Sequence, residues 1–305
     1  MAGLFLLLAL GALLYWLALV SWTFRLLTRP PRQTYASAVS KVRPGDPGEL
    51  DAPLAFESWS LQSVGRDIKV WEILGRAPGG PVAIVTHGWG SGKVNALKRV
   101  PLLAGLCSRV VLWDLPGHGE SGGRCTLGLR EVDDLRALIE RVGVERPIVL
   151  CGSSMGAGVS IAAAARSKAV ALVVAEAPYR LAPTPARNVL RSRHAPTALN
   201  LAPALSLLGL LASGRWTGPR LDSARFGIFD RAAHAAGLAC PLLVLHGDSD
   251  TTCPIEDGKA IALAAPCGRF LVISGGTHYN LWKDASCRAT MERAYTDAIA
   301  DLSRP

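Results

Sequence analysis

The feature that most restricts the fold of this chain is a short apolar run that passes through a glycine-flanked turn into an alanine-rich stretch. The Val, Ile and Leu content of Ile148–Cys151 predicts a buried strand, and the alanines of Ser154–Arg166 favour a helix. The connecting Gly152-Ser153-Ser154-Met155-Gly156 fits G-x-S-x-G, in which a serine lies on a strained turn between strand and helix. Small neighbours avoid clashes there, so the Oγ of Ser154 is expected to project from the sheet.

Apolar runs and helix-like stretches alternate along most of the chain. An opening hairpin is predicted for Glu57–Ser63 and Asp67–Leu74. Further buried strands are predicted at Val82–Thr86, Arg109–Asp114, Ala169–Ala175, Leu242–His246 and Phe270–Ile273. Further helices are predicted from a cap at Thr126 to about Val142, at Glu256–Ala265 and at Ala285–Leu302. This alternation predicts an α/β fold with a mostly parallel, doubly wound sheet.

The stretch from Tyr179 to Ala239 interrupts this alternation and is too long for a plain connection. It contains an almost wholly apolar run, 199–211, among several arginines. Two interpretations remain open. The insertion is either a helical excursion packed on the sheet edge, or a cap over an active site that admits an acyl chain or touches a bilayer.

The amino-terminal segment predicts a membrane anchor. Ala2–Phe24 contains no charged residue, and as a helix its 23 residues extend about 34 Å, enough to cross a hydrocarbon core of about 30 Å. Basic residues follow this segment and only the α-amino group precedes it: Arg25, Arg29, Arg32, Lys41 and Arg43. The positive-inside rule therefore predicts a single-pass protein with its bulk in the cytoplasm.

A cleaved signal peptide and a buried core helix are the alternatives to an anchor. A signal peptide needs a basic segment before the apolar run, and none is present here. Pro30-Pro31 is expected to end the helix, and a polar linker follows. The predicted organisation is an anchor over 1–28, a linker over 29–53 and a domain over 54–305 with the insertion at about 179–239.

Composition excludes some partners. The net charge of +9 is scattered without a dense basic run or an aromatic-interleaved motif, so no nucleic-acid partner is expected. The seven cysteines show neither C-x-x-C nor zinc-ligand spacing. Free thiols in a reducing compartment, and no metal, are therefore expected.

Polar residues that follow two late strands complete a candidate constellation around Ser154. A serine nucleophile needs a base, and the base needs an orienting carboxylate. Leu242–His246 leads into a loop that carries Asp248 and Asp250, and Phe270–Ile273 leads to His278. Upstream, the loop His87-Gly88-Trp89-Gly90 is placed to donate a backbone N–H to an oxyanion, beside the N–H of Met155.

Taken in order, these motifs resemble the α/β-hydrolase superfamily of serine hydrolases, in particular its serine aminopeptidase-like and monoacylglycerol-lipase-like group. The matching segments are His87-Gly88, Asp114–Ser121, Gly152–Gly156, His246–Asp250 and Gly276–His278. The resemblance implies that Ser154 is the nucleophile and His278 the general base and acid. It also implies that Asp250, rather than Asp248, is the orienting carboxylate, and that Trp89 and Met155 supply the oxyanion N–H groups.

The resemblance implies cleavage of a carboxylic ester, thioester or small amide through an acyl-enzyme, without a metal or organic cofactor. The predicted anchor makes a lipid or acyl substrate attractive, whereas oligomeric state stays open. Acyl transfer on the same triad and a non-catalytic scaffold remain as alternatives. A peptidase would need acidic groups that bind a free amino terminus, for which the candidates are Glu176, Asp222 and Asp230.

Four other side chains near these motifs have expected roles. Trp89 is expected to fill part of the acyl pocket. His87, His118 and His246 lie in glycine-flanked turns and are expected to bond to the backbone.

Overall fold

Eight strands form one sheet within residues 1–143, 145–213 and 229–303, the ranges that the computed structural model describes. In chain order they are β1 (Phe56–Ser63), β2 (Arg66–Leu74), β3 (Val82–Thr86), β4 (Arg109–Trp113), β5 (Ile148–Ser153), β6 (Val170–Glu176), β7 (Leu242–Gly247) and β8 (Gly268–Ile273). Across the sheet the order is β1-β2-β4-β3-β5-β6-β7-β8. Strand β2 is antiparallel to β1 and β4, and all other neighbours are parallel. The predicted hairpin and mostly parallel sheet are confirmed.

Helices flank the sheet and extend from it at the amino terminus. In chain order they are α1 (Ala2–Thr28), α2 (Tyr35–Val39), α3 (Lys93–Ala96), α4 (Val100–Leu106), α5 (Glu131–Val142), α6 (Met155–Ala164), α7 (Pro183–Ser192), α8 (Leu201–Ser213), α9 (Arg231–Ala236), α10 (Ile255–Ala264) and α11 (Ala285–Ala300). The predicted strands and helices after residue 54 are present, and apart from the start of α5 their ends differ by at most two residues.

Each face of the sheet has its own buried core. Along β3, Ile84 belongs to a core that includes residues of α5 and α6, whereas Val85 belongs to a core that includes residues of α4 and α11. Alternate side chains of a strand point to opposite faces, so a strand covered on both sides must be apolar throughout. This two-sided burial explains the continuous apolar runs of β3 to β7. The prediction of a buried strand at Phe270–Ile273 is wrong, because β8 lies at the edge of the sheet and most of its residues are exposed.

The predicted start of α5 is wrong. The helix begins at Glu131, after Arg130, and Thr126 does not cap it. The intervening turn holds Leu127 at φ 55° and Gly128 at φ 101°, in the left-handed region that a helix does not use. The backbone N–H of Thr126 instead donates to the carboxylate of Glu131 (2.6 Å), which ties the turn to the first residue of the helix.

Helix α1 has an exposed first half and a packed second half. It is long and apolar enough, by length and composition, to cross a membrane. Trp16 Nε1 donates to the carbonyl of Leu199 (2.9 Å), and Asn200 Nδ2 donates to Thr23 Oγ1 (2.7 Å), so the second half lies along α8. Thr23 and Leu27 are buried in this contact.

The segment predicted as a polar linker packs against the domain. Thr34 caps α2 together with Ser37, and Ala38 of that helix is buried in one of the two cores. Leu50 and Leu54 pack against the same core. Residues 29–53 are thus held on the surface of the sheet domain over much of their length.

Candidate active site

Ser154 lies on a strained turn between β5 and α6. Its backbone has φ 53° and ψ −114°, a conformation that costs energy for a residue with a side chain. The surroundings enforce it, because a Cβ on Gly152 would lie 2.5 Å from the Cα of Ala157, and one on Gly156 would lie 2.2 Å from the carbonyl oxygen of Thr86. The glycines of the pentapeptide therefore let strand, turn and helix approach closely enough to hold the serine.

The structure brings Ser154, Asp250 and His278 into one hydrogen-bonded chain. Nε2 of His278 lies 3.1 Å from Ser154 Oγ, and Nδ1 lies 2.7 Å from Asp250 Oδ2. With a proton on Nδ1, that nitrogen donates to the carboxylate and Nε2 accepts from the serine hydroxyl. The three residues follow β5, β7 and β8, so a nucleophile, a base and a carboxylate meet at one edge of the sheet.

Asp250 is held as a buried carboxylate. Its Oδ1 accepts from the backbone N–H groups of Thr252 and Cys253, both at 2.8 Å. Burial opposes ionisation, but contacts with His246 (Nε2–Oδ2 3.5 Å) and His278 hold the pKa of Asp250 well below its usual value. The carboxylate thus stays ionised beside the imidazole at neutral pH.

Asp248, the competing carboxylate, bonds elsewhere. Its Oδ1 accepts from the backbone N–H of Gly275 (2.9 Å) and the hydroxyl of Ser249 (3.0 Å). The geometry therefore pairs His278 with Asp250.

The loop after β3 lies against the serine. A Cβ on Gly88 would lie 3.2 Å from the Cβ of Ser154 and from the carbonyl oxygen of Ser153, so a larger residue would push the loop away from the serine. Within the described residues, the backbone N–H groups of Trp89 and Met155 donate to no backbone carbonyl. The indole of Trp89 donates to the carbonyl of Leu27 (2.9 Å) in the last turn of α1.

Three further histidines bond to the backbone. Nδ1 of His87 bonds to the carbonyl of Gly88 (2.8 Å), while its Nε2 accepts from the backbone N–H of Leu115 (3.1 Å). Nδ1 of His118 lies 3.0 Å from the carbonyl of Pro116, and Nε2 of His246 lies 3.0 Å from that of Cys253. Burial lowers the pKa of His87 and His118, which favours neutral rings in these turns.

A cavity of about 880 Å³ is lined by Ser154 and His278. One side, which we call the sheet wall, comprises residues 87–91, 153, 154 and 278. The other, the N-terminal wall, comprises the lining residues from Leu27 to Leu50. Helix α7 of the insertion contributes Pro185, Ala186 and Val189, and Ala182, which precedes the helix, also lines the cavity. The insertion thus helps to enclose the site, and Trp89 is one of the lining side chains.

Glu176 is the one carboxylate among the residues that line this cavity, and it is fully engaged. It is bound by both ends of the Arg99 guanidinium, by Trp282 Nε1 (2.8 Å) and by Tyr295 Oη (2.6 Å). Asp230 caps α9 and pairs with Arg180, while Asp222 lies outside the described residues. Neither Glu176 nor Asp230 is therefore available to bind a free amino terminus.

One group with metal-ligand spacing overlaps the constellation. Ligand atoms of Asp250, Cys253 and His278 lie within 4.8 Å of one another. Asp250 and His278 are already bonded to each other, and burial raises the pKa of the Cys253 thiol well above its usual value. Two of the three ligand atoms are thus already used within the hydrogen-bonded chain.

A model of the α/β hydrolase family matches residues 82–289, more than half of the chain. The chain belongs to the α/β hydrolase family. The matched range contains β3 to β8 and all three members of the hydrogen-bonded chain. The predicted superfamily and fold class are confirmed.

Solved structures share the fold at low identity. An esterase of Pyrococcus furiosus is 18% identical with a TM-score of 0.66, covering 90% of this α/β hydrolase and 97% of that chain. A serine hydrolase of carbazole degradation is 17% identical with a TM-score of 0.58, covering 81% and 99%. The thioesterase domain of a curacin biosynthetic pathway is 19% identical with a TM-score of 0.55, covering 79% and 99%.

One curated relative matches over a short segment. The dihydrolipoyllysine-residue acetyltransferase component of the acetoin cleaving system of Pseudomonas putida is 37% identical over 102 residues, which is 32% of this chain and 26% of that protein. The match thus covers about a quarter of the relative's length.

Proposed function

We propose that this α/β hydrolase is a membrane-anchored serine hydrolase that cleaves an ester, thioester or small amide of an acyl substrate. The hydrogen-bonded chain Ser154–His278–Asp250 at the edge of the cavity carries the proposal. A hydroxyl, an imidazole and an ionised carboxylate in this order are the groups that acyl transfer to serine needs.

In the first half-reaction, Ser154 Oγ attacks the substrate carbonyl while Nε2 of His278 takes the hydroxyl proton. The carboxylate of Asp250 stabilises the imidazolium that forms. The carbonyl oxygen becomes an oxyanion, for which the backbone N–H groups of Trp89 and Met155 are the donors. When the intermediate collapses, His278 returns the proton to the leaving group and Ser154 keeps the acyl group.

In the second half-reaction, His278 takes a proton from water, and the hydroxide attacks the acyl carbonyl. The same N–H groups hold the second oxyanion, and the proton returns to Ser154 Oγ as the acid leaves. The lining of the cavity is rich in apolar side chains and its volume suits a drug-sized or acyl-chain ligand.

The amino-terminal helix is proposed to remain attached as an anchor. Its second half makes contacts that a cleaved protein would lose, including the acceptor of the Trp89 indole at Leu27. Helix α1 extends about 40 Å, but the part before Trp16 extends only about 21 Å, short of a core of about 30 Å. A full crossing therefore requires that the Trp16 contact, and with it part of α8, lies at the depth of the hydrocarbon.

Helix α8 suits that environment. It carries no charged residue, and Leu211 on its outer side is 53% exposed. A helix that is apolar on all sides is stable only when covered by protein or lipid. A spin label on Leu211→Cys in vesicles should be more accessible to oxygen than to a water-soluble nickel chelate, and the reverse order would place α8 in water.

Fluorophosphonate labelling of the full-length protein in detergent tests the enzymatic proposal. Labelling should be lost in Ser154→Ala and His278→Ala but retained in Ser249→Ala, an exposed loop serine that bonds to Asp248. Equal labelling of Ser154→Ala would refute an activated serine at this position. Product analysis with a matched ester then separates hydrolysis from acyl transfer.

Location is tested with the native cysteines. Cys267 is the exposed cysteine of the described residues, and the others are buried. An impermeant maleimide should label Cys267 only after permeabilisation if the domain is cytoplasmic, and Cys267→Ser is the control. Intact mass of the membrane-extracted protein should include residues 1–28, and their loss would identify a cleaved signal peptide.

A further inference from the structure

Positive side chains outnumber negative ones around the active-site cavity. Its lining includes Lys41, Arg43, Lys98, Arg99 and Lys283, whereas Glu176 is the only carboxylate among the lining residues. These cations come from three separate segments of the chain, so their convergence cannot be read as one charged helix face. Charges gathered at one cavity are candidates for binding a ligand of opposite sign.

Glu176 neutralises only one of these cations. Both of its oxygens bond to the Arg99 guanidinium, and Oε1 also accepts from Trp282 and Tyr295. Burial alone would disfavour the charge on Glu176, but the Arg99 charge and these hydrogen bonds lower its pKa. This carboxylate is therefore saturated, and its charge is balanced by Arg99 alone.

The other cations have neutral partners or none among the described residues. Arg43 donates to Asn95 Oδ1 (3.4 Å), and Lys41 donates to Gln33 Oε1 (3.2 Å). Neither Lys98 nor Lys283 forms an ion pair within the described part of the chain. Arg43, Lys98 and Lys283 thus form a cluster, here called the cation cluster, in which no member forms an ion pair with a carboxylate of the described residues.

The three charges of the cation cluster are close enough to affect one another. The Lys98 side chain lines the cavity and is exposed there. Partial desolvation by the surrounding protein, with repulsion from Arg99, Lys283 and Arg43, lowers the pKa of Lys98 to about 7, although attraction to Glu176 acts in the opposite direction. Attraction to Glu176 offsets this repulsion only in part, and a bound anion would relieve the remainder.

We propose that the cation cluster Arg43–Lys98–Lys283 is an anion subsite of the active-site cavity, and that the substrate is an acyl ester or thioester bearing a carboxylate or phosphate. This inference rests on the proposed function for the reaction, but the binding site itself does not require it. The cluster and Ser154 line the same cavity, so an anionic group held by the cluster would leave the apolar lining to the rest of the substrate. Lysine and arginine both suit phosphate and carboxylate oxygens.

Binding to the full-length Ser154→Ala protein in a neutral detergent tests the subsite without turnover. The probes are dodecyl phosphate, dodecanoate and, as the neutral partner, dodecyl glycerol ether. Both anions should bind more tightly than the neutral probe, and Lys98→Gln or Lys283→Gln should weaken anion binding about tenfold each, as expected for a charge-assisted hydrogen bond. A stronger effect on dodecyl phosphate than on dodecanoate would identify phosphate as the preferred group.

Two control variants test whether the effect is specific to the charge of the cation cluster. Lys168→Gln removes an exposed lysine that does not line the cavity and should change nothing. Lys98→Arg keeps the charge and should retain most of the affinity, which separates loss of charge from loss of folding. Equal affinity for neutral and anionic probes, or anion affinity that is unchanged in both glutamine variants, would overturn the subsite.

A kinetic arm separates this inference from the proposed function. The Ser154-containing protein is assayed with the 4-nitrophenyl monoester of adipic acid and with the same ester whose free carboxylate is methylated. The ratio of kcat/KM for the anionic over the neutral ester should exceed one and fall about tenfold in Lys98→Gln. No turnover of either ester, with anion binding intact, would refute the hydrolase proposal alone. Turnover of both esters with a ratio of one or less would refute the subsite alone.

Discussion

The two walls of the active-site cavity are built in different ways. The sheet wall consists of strand ends and turns, and the glycines that flank Ser154, Gly152 and Gly156, meet backbone atoms at distances that admit no side chain. The N-terminal wall consists of one end of α1, the short helix α2 and irregular chain, and several of its lining side chains are exposed. The first wall presents a turn fixed by close backbone contacts, whereas the second presents side chains of a segment packed on the surface of the sheet domain.

This difference predicts that substitutions in the two walls will affect different kinetic parameters. In the proposed reaction, groups of the sheet wall touch the reacting atoms, so their loss should lower kcat. Groups of the N-terminal wall would contact parts of the substrate away from the carbonyl, so their loss should raise KM or change the preference among substrates. Each of the following substitutions tests one side of this division.

The largest effect is expected for His278→Ala. Without the imidazole no group takes the proton of Ser154, and kcat should fall by about 10⁶-fold, as when the base of a serine hydrolase triad is removed. His194→Asn is the control, because His194 is exposed and its φ of 55° suits asparagine. Steady-state kinetics on a 4-nitrophenyl ester measures both, and a loss confined to KM would contradict the assignment of His278 as the base.

Asp250→Asn should lower kcat by about 10⁴-fold while the protein stays folded. An amide at this position no longer favours the tautomer of His278 that accepts from Ser154. Asp248→Asn is the matched control, because it makes the same chemical change two residues away. Asp248 bonds to Ser249 and Gly275 rather than to His278, so the kcat of this variant should stay within about threefold of that of the unmodified protein. The reverse ranking of the two variants would exchange their roles.

Sequence patterns predict the sheet wall well. The strands before Ser154 and Asp250 are continuous apolar runs because they are covered on both faces, and this makes them visible in the sequence. The strand before His278 lies at the edge of the sheet and is mostly exposed, but it is still marked by a short apolar run. The glycines around Ser154 are visible because only glycine fits beside the backbone of Thr86 and Ala157. The start of α5 is harder to predict from the sequence. It depends on the turn before Glu131, whose carboxylate accepts a hydrogen bond from the backbone N–H of Thr126.

The N-terminal wall is much less predictable from sequence. Residues 29–53 are polar and contain proline and glycine, which is typical of a linker, and no local pattern shows that Ala38 or Leu50 packs on the domain. The cation cluster joins residues that lie far apart in the chain, so only the folded chain brings them together. The adjacent pair Lys98-Arg99 is the one local signal, and its two members have different roles.

Gly156→Ala should destabilise the turn that carries Ser154 of the sheet wall, and with it the folded protein. Its Cβ would lie 2.2 Å from the carbonyl oxygen of Thr86 and 2.5 Å from that of His87, and neither backbone atom can move aside cheaply. We expect a loss of about 2 to 3 kcal/mol in the free energy of unfolding. Gly105→Ala, on the exposed side of α4 with nothing within 4 Å of the added Cβ, should be neutral or slightly stabilising. Urea titration in detergent compares the two, and equal stabilities would mean that the turn relaxes.

Anion binding at the cation cluster should weaken as pH rises from 6 to 8. The groups that affect Lys98 are Arg99, Glu176, Lys283 and Arg43, and together with burial they bring the pKa of Lys98 to about 7. Lys98 is thus charged at pH 6 and mostly neutral at pH 8. If its charge contributes about tenfold, dodecanoate affinity should fall about fivefold over this range. If dodecanoate affinity fell equally with pH in Lys98→Gln, the group that titrates would not be Lys98.

The smallest effect is expected for Trp89→Phe, which tests where the two walls join. The substitution keeps an aromatic ring under Arg193 but removes the N–H that donates to the carbonyl of Leu27. The lost hydrogen bond does not involve the reacting atoms of the substrate. Its loss should therefore reduce kcat/KM about two- to threefold, mainly through KM. Trp59→Phe loses an equivalent bond to Glu72 at the far edge of the sheet and should not change the kinetics. A loss above about 100-fold in kcat for Trp89→Phe would mean that α1 aligns the oxyanion loop, and the N-terminal wall would then belong to the catalytic machinery.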